Sequence, residues 1–186
     1  MGRFEFNALK LKGAYIIRPT SHTDDRGIFT RIFCANEFRS IGLERPFVQV
    51  NHSMTSQKGC VRGMHYQKPP RADVRLVKCI SGAVYDVIVD LRQDSPTFLH
   101  WHSERLDPLN MLMIFVPEGF AHGFQTLEPK SELLYFHVQP YSPEYEEGIR
   151  HDDPALSIEW PLEASSISSR DRNHPLIGSC FKGVKL

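Results

Sequence analysis

Residues 74–91 read V-R-L-V-K-C-I-S-G-A-V-Y-D-V-I-V-D-L: two β-branched-rich apolar runs, 74–80 and 83–91, meeting at Ser81-Gly82. That spacing predicts two strands joined by a tight hairpin. The pattern continues downstream. Residues 111–116 form another short apolar run, closed by Pro117-Glu118-Gly119, and runs 121–127 and 132–139 are separated by Glu128-Pro129-Lys130-Ser131. Turn signals recur about every eight to twelve residues, the spacing of a sandwich or barrel. Helix is expected only at 35–41 and in a short piece after Ile167. The expected fold is an all-β sandwich of jelly-roll type with little helix, one domain spanning 1–186.

Composition sets limits on function. Among 186 residues, 22 Lys and Arg balance 22 Asp and Glu, so the chain lacks the basic surplus that a duplex-coating nucleic-acid binder needs. An anionic small molecule needs only a few local arginines and stays open. With 41% hydrophobic and 24% charged residues the chain is of globular type rather than disordered. No apolar run approaches the ~20 residues that cross a bilayer, and the start MGRFEFNALKLKG carries neither a leader core nor, with Phe6, an acylation signal. Cys34, Cys60, Cys79 and Cys180 show no C-x-x-C, so they are expected to be free, mostly buried thiols of a cytoplasmic protein.

Two histidine motifs stand on adjacent expected strands. Gly59-Cys60-Val61-Arg62-Gly63-Met64-His65 matches the first cupin signature as far as one histidine, and Pro117-Glu118-Gly119-Phe120-Ala121-His122 matches the second in full. Gln67 stands where the second histidine of H-x-H would be, and Arg75 where the glutamate would be. A divalent ion wants three or four convergent N, O or S ligands, and an arginine repels it. A metal-dependent cupin enzyme is therefore the weaker reading; a pocket of that shape using no metal is expected. His100-Trp101-His102 also has ligand spacing, but after Ser95-Pro96-Thr97 it reads as surface or packing.

Several segments together carry a resemblance. They are Asn51-His52-Ser53, Lys58-Gly59, Arg62-Gly63-Met64-His65-Tyr66-Gln67, Pro69-Pro70, Asp86-Val87, Val89-Asp90-Leu91-Arg92, Ser95-Pro96-Thr97-Phe98, Pro117 to Phe124, Gly148-Ile149-Arg150, Asp152-Asp153-Pro154-Ala155 and Trp160-Pro161-Leu162. In this order they resemble the dTDP-4-dehydrorhamnose 3,5-epimerase family. The resemblance implies a homodimeric cupin-type jelly roll with neither metal nor organic cofactor, acting on a nucleotide-diphosphate sugar. The implied chemistry is proton removal and return at C3 and C5 of a 4-keto-6-deoxyhexose, where the C4 ketone makes both neighbouring C–H bonds acidic. Such a reaction needs a base on one face, a proton donor on the other, and donors around the enolate oxygen.

Residue roles follow by the same resemblance. His65 matches the base, Asp171 the carboxylate that orients it, and Tyr135 the acid on the opposite side. Tyr141 matches a second pocket tyrosine, and His122 lines the pocket. Arg26 and Arg62 match the diphosphate-binding arginines, a role suited to planar guanidinium groups. Gln49 and Asn51 match a polar pair near nucleotide and sugar, and Phe29 the aromatic that stacks on the base. Asp86 sits at an inward strand position, where it is expected to hold Arg75 as a buried ion pair.

The chain departs from the family pattern twice. Arg75 replaces a lysine that helps hold the enolate; charge is kept, geometry changes, and inversion at C3 alone, at C5 alone or at both stays open. Arg31 replaces a glutamate near the base edge. A donor-only cation suits the N3 acceptor of cytosine, which opens a CDP-linked substrate as the alternative to dTDP. A pairing of Arg31 with Asp24 or Glu37 would leave dTDP in place.

Overall fold

The computed structural model describes residues 3–186; the Met1-Gly2 start, on which the acylation reading bears, lies outside the described residues. Among the described residues thirteen strands follow one another. The first five are β1 (Phe4–Ala8), β2 (Tyr15–Pro19), β3 (Ser21–Asp24), β4 (Gly27–Thr30) and β5 (Gln49–Thr55). Then come β6 (Val61–Gln67), β7 (Arg75–Ser81), β8 (Val84–Asp90) and β9 (Trp101–Leu106). The last are β10 (Met113–Val116), β11 (Phe120–Thr126), β12 (Ser131–His137) and β13 (Glu146–Gly148). Among the described residues helix is confined to α1 (Ala35–Phe38), which runs into a 3₁₀ turn at Arg39–Ile41, to α2 (Ser169–Arg172), and to a 3₁₀ turn at Pro143–Tyr145 that the sequence does not announce.

The strands form a six-stranded sheet, β1-β2-β10-β7-β12-β5, and a five-stranded sheet, β13-β6-β11-β8-β9; β3 and β4 pair alone as a hairpin. The jelly-roll sandwich is as expected, with one correction. The runs at 74–80 and 83–91 are strands, but they do not pair: β7 lies between β10 and β12, and β8 between β11 and β9. Ser81-Gly82 is thus a corner crossing from one sheet to the other. Gly82 takes φ 69°, and a Cβ there would stand 2.8 Å from the Ser131 Cα, so the corner needs glycine. A tight local turn serves a hairpin and a corner equally, which is why the motif alone misleads.

Inward-facing Val77, Cys79, Val84, Ile88, Ile114, Phe124 and Leu133 fill the space between the sheets. The outer faces are covered as well. Phe38 and Ile41 of the helical segment pack on Leu76, Met113 and Phe115, while Ile149, Leu156 and Val184 of the C-terminal segment cover Met64, Val87 and Val89. Strands buried on both faces read as continuous apolar runs rather than alternations, as β7 and β8 do. Phe38 is wholly buried, with Phe4, Phe6 and Phe33 set edge-on at 5.1, 5.4 and 5.0 Å. Truncating such a ring to alanine costs about 3–5 kcal/mol. The four thiols are free; contrary to expectation only Cys79 is fully buried, and Cys180 is exposed.

Candidate active site

Residues of both sheets line a cavity of about 550 Å³. The six-stranded sheet contributes Asn51 and Ser53 from β5, Tyr135 and His137 from β12, and Arg75 from β7. The facing wall carries Arg62 and His65 from β6 and His122 and Phe124 from β11.

A bulge makes that facing wall possible. On a regular strand, residues 62 and 65 would point to opposite faces. Here His65 pairs with His122 and Arg62 with Phe124, so three steps on β6 match two on β11 and both side chains turn into the cavity. Gly63 takes up the extra residue at φ 113°, and a Cβ on it would lie 2.6 Å from the Gly123 Cα and 2.7 Å from the His122 carbonyl oxygen. Only a pair of glycines lets these backbones approach so closely.

His65 is held from behind. Its Nε2 lies 2.7 Å from Asp171 Oδ1, and the Gly63 amide donates to Oδ2 at 3.1 Å. Asp171 stands in the short helix α2, whose N-cap Ser168 accepts the Asp171 amide at 3.0 Å. Burial pushes the Asp171 pKa up, but the hydrogen bonds from His65 and the Gly63 amide outweigh it and hold the carboxyl well below the usual range. With the Nε2 proton given to Asp171, the Nδ1 lone pair is the one left for the cavity.

Tyr135 stands on the other wall, its hydroxyl 3.2 Å from Ser53 Oγ and its ring edge-on to His122 at 6.0 Å. Burial pushes the phenol upward, so it is kept protonated; the Ser53 hydrogen bond and the charges of Arg62 and Arg75 work in the opposite direction. A cavity with an oriented imidazole on one wall and a protonated phenol on the other is equipped for proton transfer to opposite faces of one carbon.

Asp86 does not hold Arg75: the two strands lie in different sheets, and Asp86 bonds instead to His122 Nε2 at 2.9 and 3.0 Å. Arg75 pairs with Asp73 at 3.3 Å and donates to the His65 carbonyl at 3.1 Å, tying one wall to the other. Arg31 lies 3.6 Å from Glu37, the partner that leaves the dTDP reading in place. Tyr141 lines the cavity and bonds Glu146 at 2.7 Å, while Gln49 sits at the rim, accepting the Tyr141 amide at 3.0 Å. Arg26 and Phe29 are not brought to the cavity of their own chain. They project on the β3–β4 hairpin, where Arg26 pairs with Asp24 at 2.6 Å and Phe29 is 67% exposed.

The sequence reading missed Asp73, His137, Ser53, Glu146 and Arg170. Arg170 directly precedes Asp171; its guanidinium bonds Glu146 at 2.7 Å and lies 3.0 Å from His65 Nε2. Nothing local marks these residues, because each acquires its role through a partner far along the chain. His100 is exposed and His102 half-buried in β9, consistent with surface and packing roles. Among the described residues His65, Asp171 and His174 have metal-ligand spacing, within 4.8 Å of one another. The Arg170 guanidinium beside His65 puts a positive charge against that position, so the set fits a cation poorly.

This two-sheet sandwich, with acid and base on facing walls and arginines around them, belongs to the class of acid–base isomerases built on a cupin-like jelly roll. The family model for dTDP-4-dehydrorhamnose 3,5-epimerase matches residues 8–179. A dTDP-4-dehydrorhamnose 3,5-epimerase of Methanothermobacter thermautotrophicus is 44% identical over 176 residues, covering 93% of this chain and 94% of that one. The Legionella pneumophila enzyme, solved in complex with dTDP-4-keto-L-rhamnose, superposes with a TM-score of 0.91 at 34% identity, covering 98% of each chain. A 3'-monoepimerase of Streptomyces bikiniensis, in complex with dTDP-quinovose, superposes with a TM-score of 0.85 at 31% identity over 91% of this chain and 86% of that one. The chain belongs to the dTDP-4-dehydrorhamnose 3,5-epimerase family, and it is an isomerase.

Proposed function

We propose that the chain epimerises dTDP-4-keto-6-deoxy-D-glucose at C3 and C5, giving dTDP-4-keto-L-rhamnose without metal or organic cofactor. The observation that carries this reading is the placement of Asp171-backed His65 and of Tyr135 on opposite walls of one cavity. His65 Nδ1 takes the proton from carbon, and the C–H electron pair flows into the C4 carbonyl to give an enolate. Arg75 donates to the developing oxyanion. The Tyr135 phenol returns a proton to the opposite face, the carbonyl re-forms with inversion, and solvent restores both groups. Asp171 holds the imidazole in one tautomer and balances the imidazolium.

Arg62 in the cavity is suited to the diphosphate. Arg26 and Phe29 are assigned to the diphosphate and the nucleobase of the site in a second copy. Their hairpin lies off the cavity of its own chain, and the free edge of β5 exposes Val50 and Met54, with Val48 just before it. An unpaired edge with apolar side chains is a surface for association. The functional unit is read as a cytoplasmic homodimer of one-domain subunits.

The test is incubation with the dTDP- and CDP-linked 4-keto sugars in deuterated water, read by proton NMR and mass. Deuterium entering C3 and C5 of the dTDP sugar is the expected result. Exchange at one carbon would make this a single-centre epimerase like the Streptomyces protein, preference for CDP would return the base-edge role to Arg31, and no exchange would overturn the reading.

A further inference from the structure

Besides His65–Asp171 and His122–Asp86, a third histidine–carboxylate unit faces the cavity, on the wall opposite His65. Asp73 is buried and receives four donors: the amides of Val138 and Gln139 on Oδ1 at 3.1 and 3.0 Å, and His137 Nδ1 and Arg75 Nε on Oδ2 at 2.7 and 3.3 Å. His137 and Arg75 are cross-strand partners in the register of β12 and β7, and both line the cavity.

The hydrogen-bond directions determine which His137 nitrogen carries the proton. The Tyr141 amide can only donate, so it meets the Gln49 oxygen, at 3.0 Å. The Gln49 amide nitrogen then donates to Asn51 Oδ1 at 3.1 Å, which leaves the Asn51 amide nitrogen facing His137 Nε2 at 3.4 Å. Nε2 is therefore the acceptor, and Nδ1–H donates to Asp73. Nε2 thus turns its lone pair to the cavity side, met only by a long contact. Arg75, beside it, uses Nε on Asp73 and Nη1 on the His65 carbonyl, leaving Nη2 for a ligand.

An acceptor next to a donor matches an α-hydroxyketone. We propose that His137 Nε2 accepts the C3 hydroxyl of the substrate while Arg75 donates to its C4 carbonyl oxygen, with Asp73 as the positioning residue for both. C3 is the only carbon next to the ketone that bears a hydroxyl, so the pair selects 3-hydroxy-4-keto sugars and sets which edge of the ring faces the six-stranded sheet. The inference rests on the reaction proposed above.

The experiment compares the parent dTDP-4-keto-6-deoxyglucose with its 3-deoxy and 2-deoxy analogues, reading kcat/KM for deuterium exchange at C5. The wild type is expected to disfavour the 3-deoxy analogue by roughly 5- to 100-fold, the effect of leaving unmet an acceptor that the bound sugar shields from water, and the 2-deoxy analogue by no more than about twofold. In His137→Phe the 3-deoxy penalty vanishes, because the parent slows while the analogue does not. Asp73→Asn shrinks the penalty, and His137→Gln, which keeps an acceptor, restores part of it. Equal use of parent and 3-deoxy sugar by the wild type, or an undiminished penalty in His137→Phe, overturns the inference while leaving the epimerase reading intact. A wild type inert towards the parent overturns both. The wild-type comparison decides the matter even if a variant does not fold.

Discussion

Asp171 receives His65 and the Gly63 amide together, and this links catalysis to stability at a single side chain. Asp171→Asn is expected to lower kcat by roughly 10²- to 10⁴-fold, since an amide can no longer enforce the imidazole tautomer or balance its charge. The carboxyl has a lower pKa folded than unfolded. Its contribution to stability is therefore complete above the ordinary carboxylate range and disappears as the pH falls through the folded value. Urea unfolding should show the wild type more stable than Asp171→Asn near pH 6, with the gap narrowing towards about pH 3; a gap that widens in acid would contradict this. At this scale the sequence was informative wherever a motif carried the residue. His65, Tyr135, Arg62, His122 and Asp171 all converge on the cavity or directly behind it. Asp73, His137 and Arg170 were not legible, because their meaning depends on neighbours 64 to 105 positions away.

Among the elements, β6 and β11 set the geometry of the site through their bulge. Gly63→Ala forces a Cβ to 2.6 Å from Gly123 and into a backbone region that alanine rarely adopts. The expected loss is about 2–4 kcal/mol in denaturant unfolding, with activity falling as Arg62 and His65 cease to share a face. An unchanged midpoint and rate would remove the bulge from the account. Strand positions were legible because apolar β-branched runs bounded by glycine and proline have few other uses. Strand partners were not: Ser81-Gly82 looks the same as a hairpin or as a sheet-to-sheet corner. The burial of both faces of β7 and β8 separates the two cases, and that depends on the helical segment and the C-terminal tail lying over the outer faces.

At the scale of the whole molecule, the open edge of β5 and the β3–β4 hairpin point outward with Val48, Val50, Met54, Ile28 and Phe29 all more than half exposed. If this surface joins two copies, Val48→Lys with Met54→Lys should shift the mass in light scattering from dimer to monomer. Activity at low protein concentration should fall with it, because Arg26 and Phe29 would lose the cavity they serve. An active monomer would sink the shared-site reading. The sequence alone could not show that Arg26 and Phe29 stand away from the cavity of their own chain.

The central claim is that His65 and Tyr135 act on opposite faces of the same carbon. Deuterium exchange in Tyr135→Phe, with His65→Asn as its counterpart, tests it most directly. Without the phenol, His65 can still remove a proton and return a deuteron to the face it came from, so Tyr135→Phe should label recovered substrate without inverting it. His65→Asn should neither label nor invert. Full inversion by Tyr135→Phe, or label entering through His65→Asn, would contradict the account.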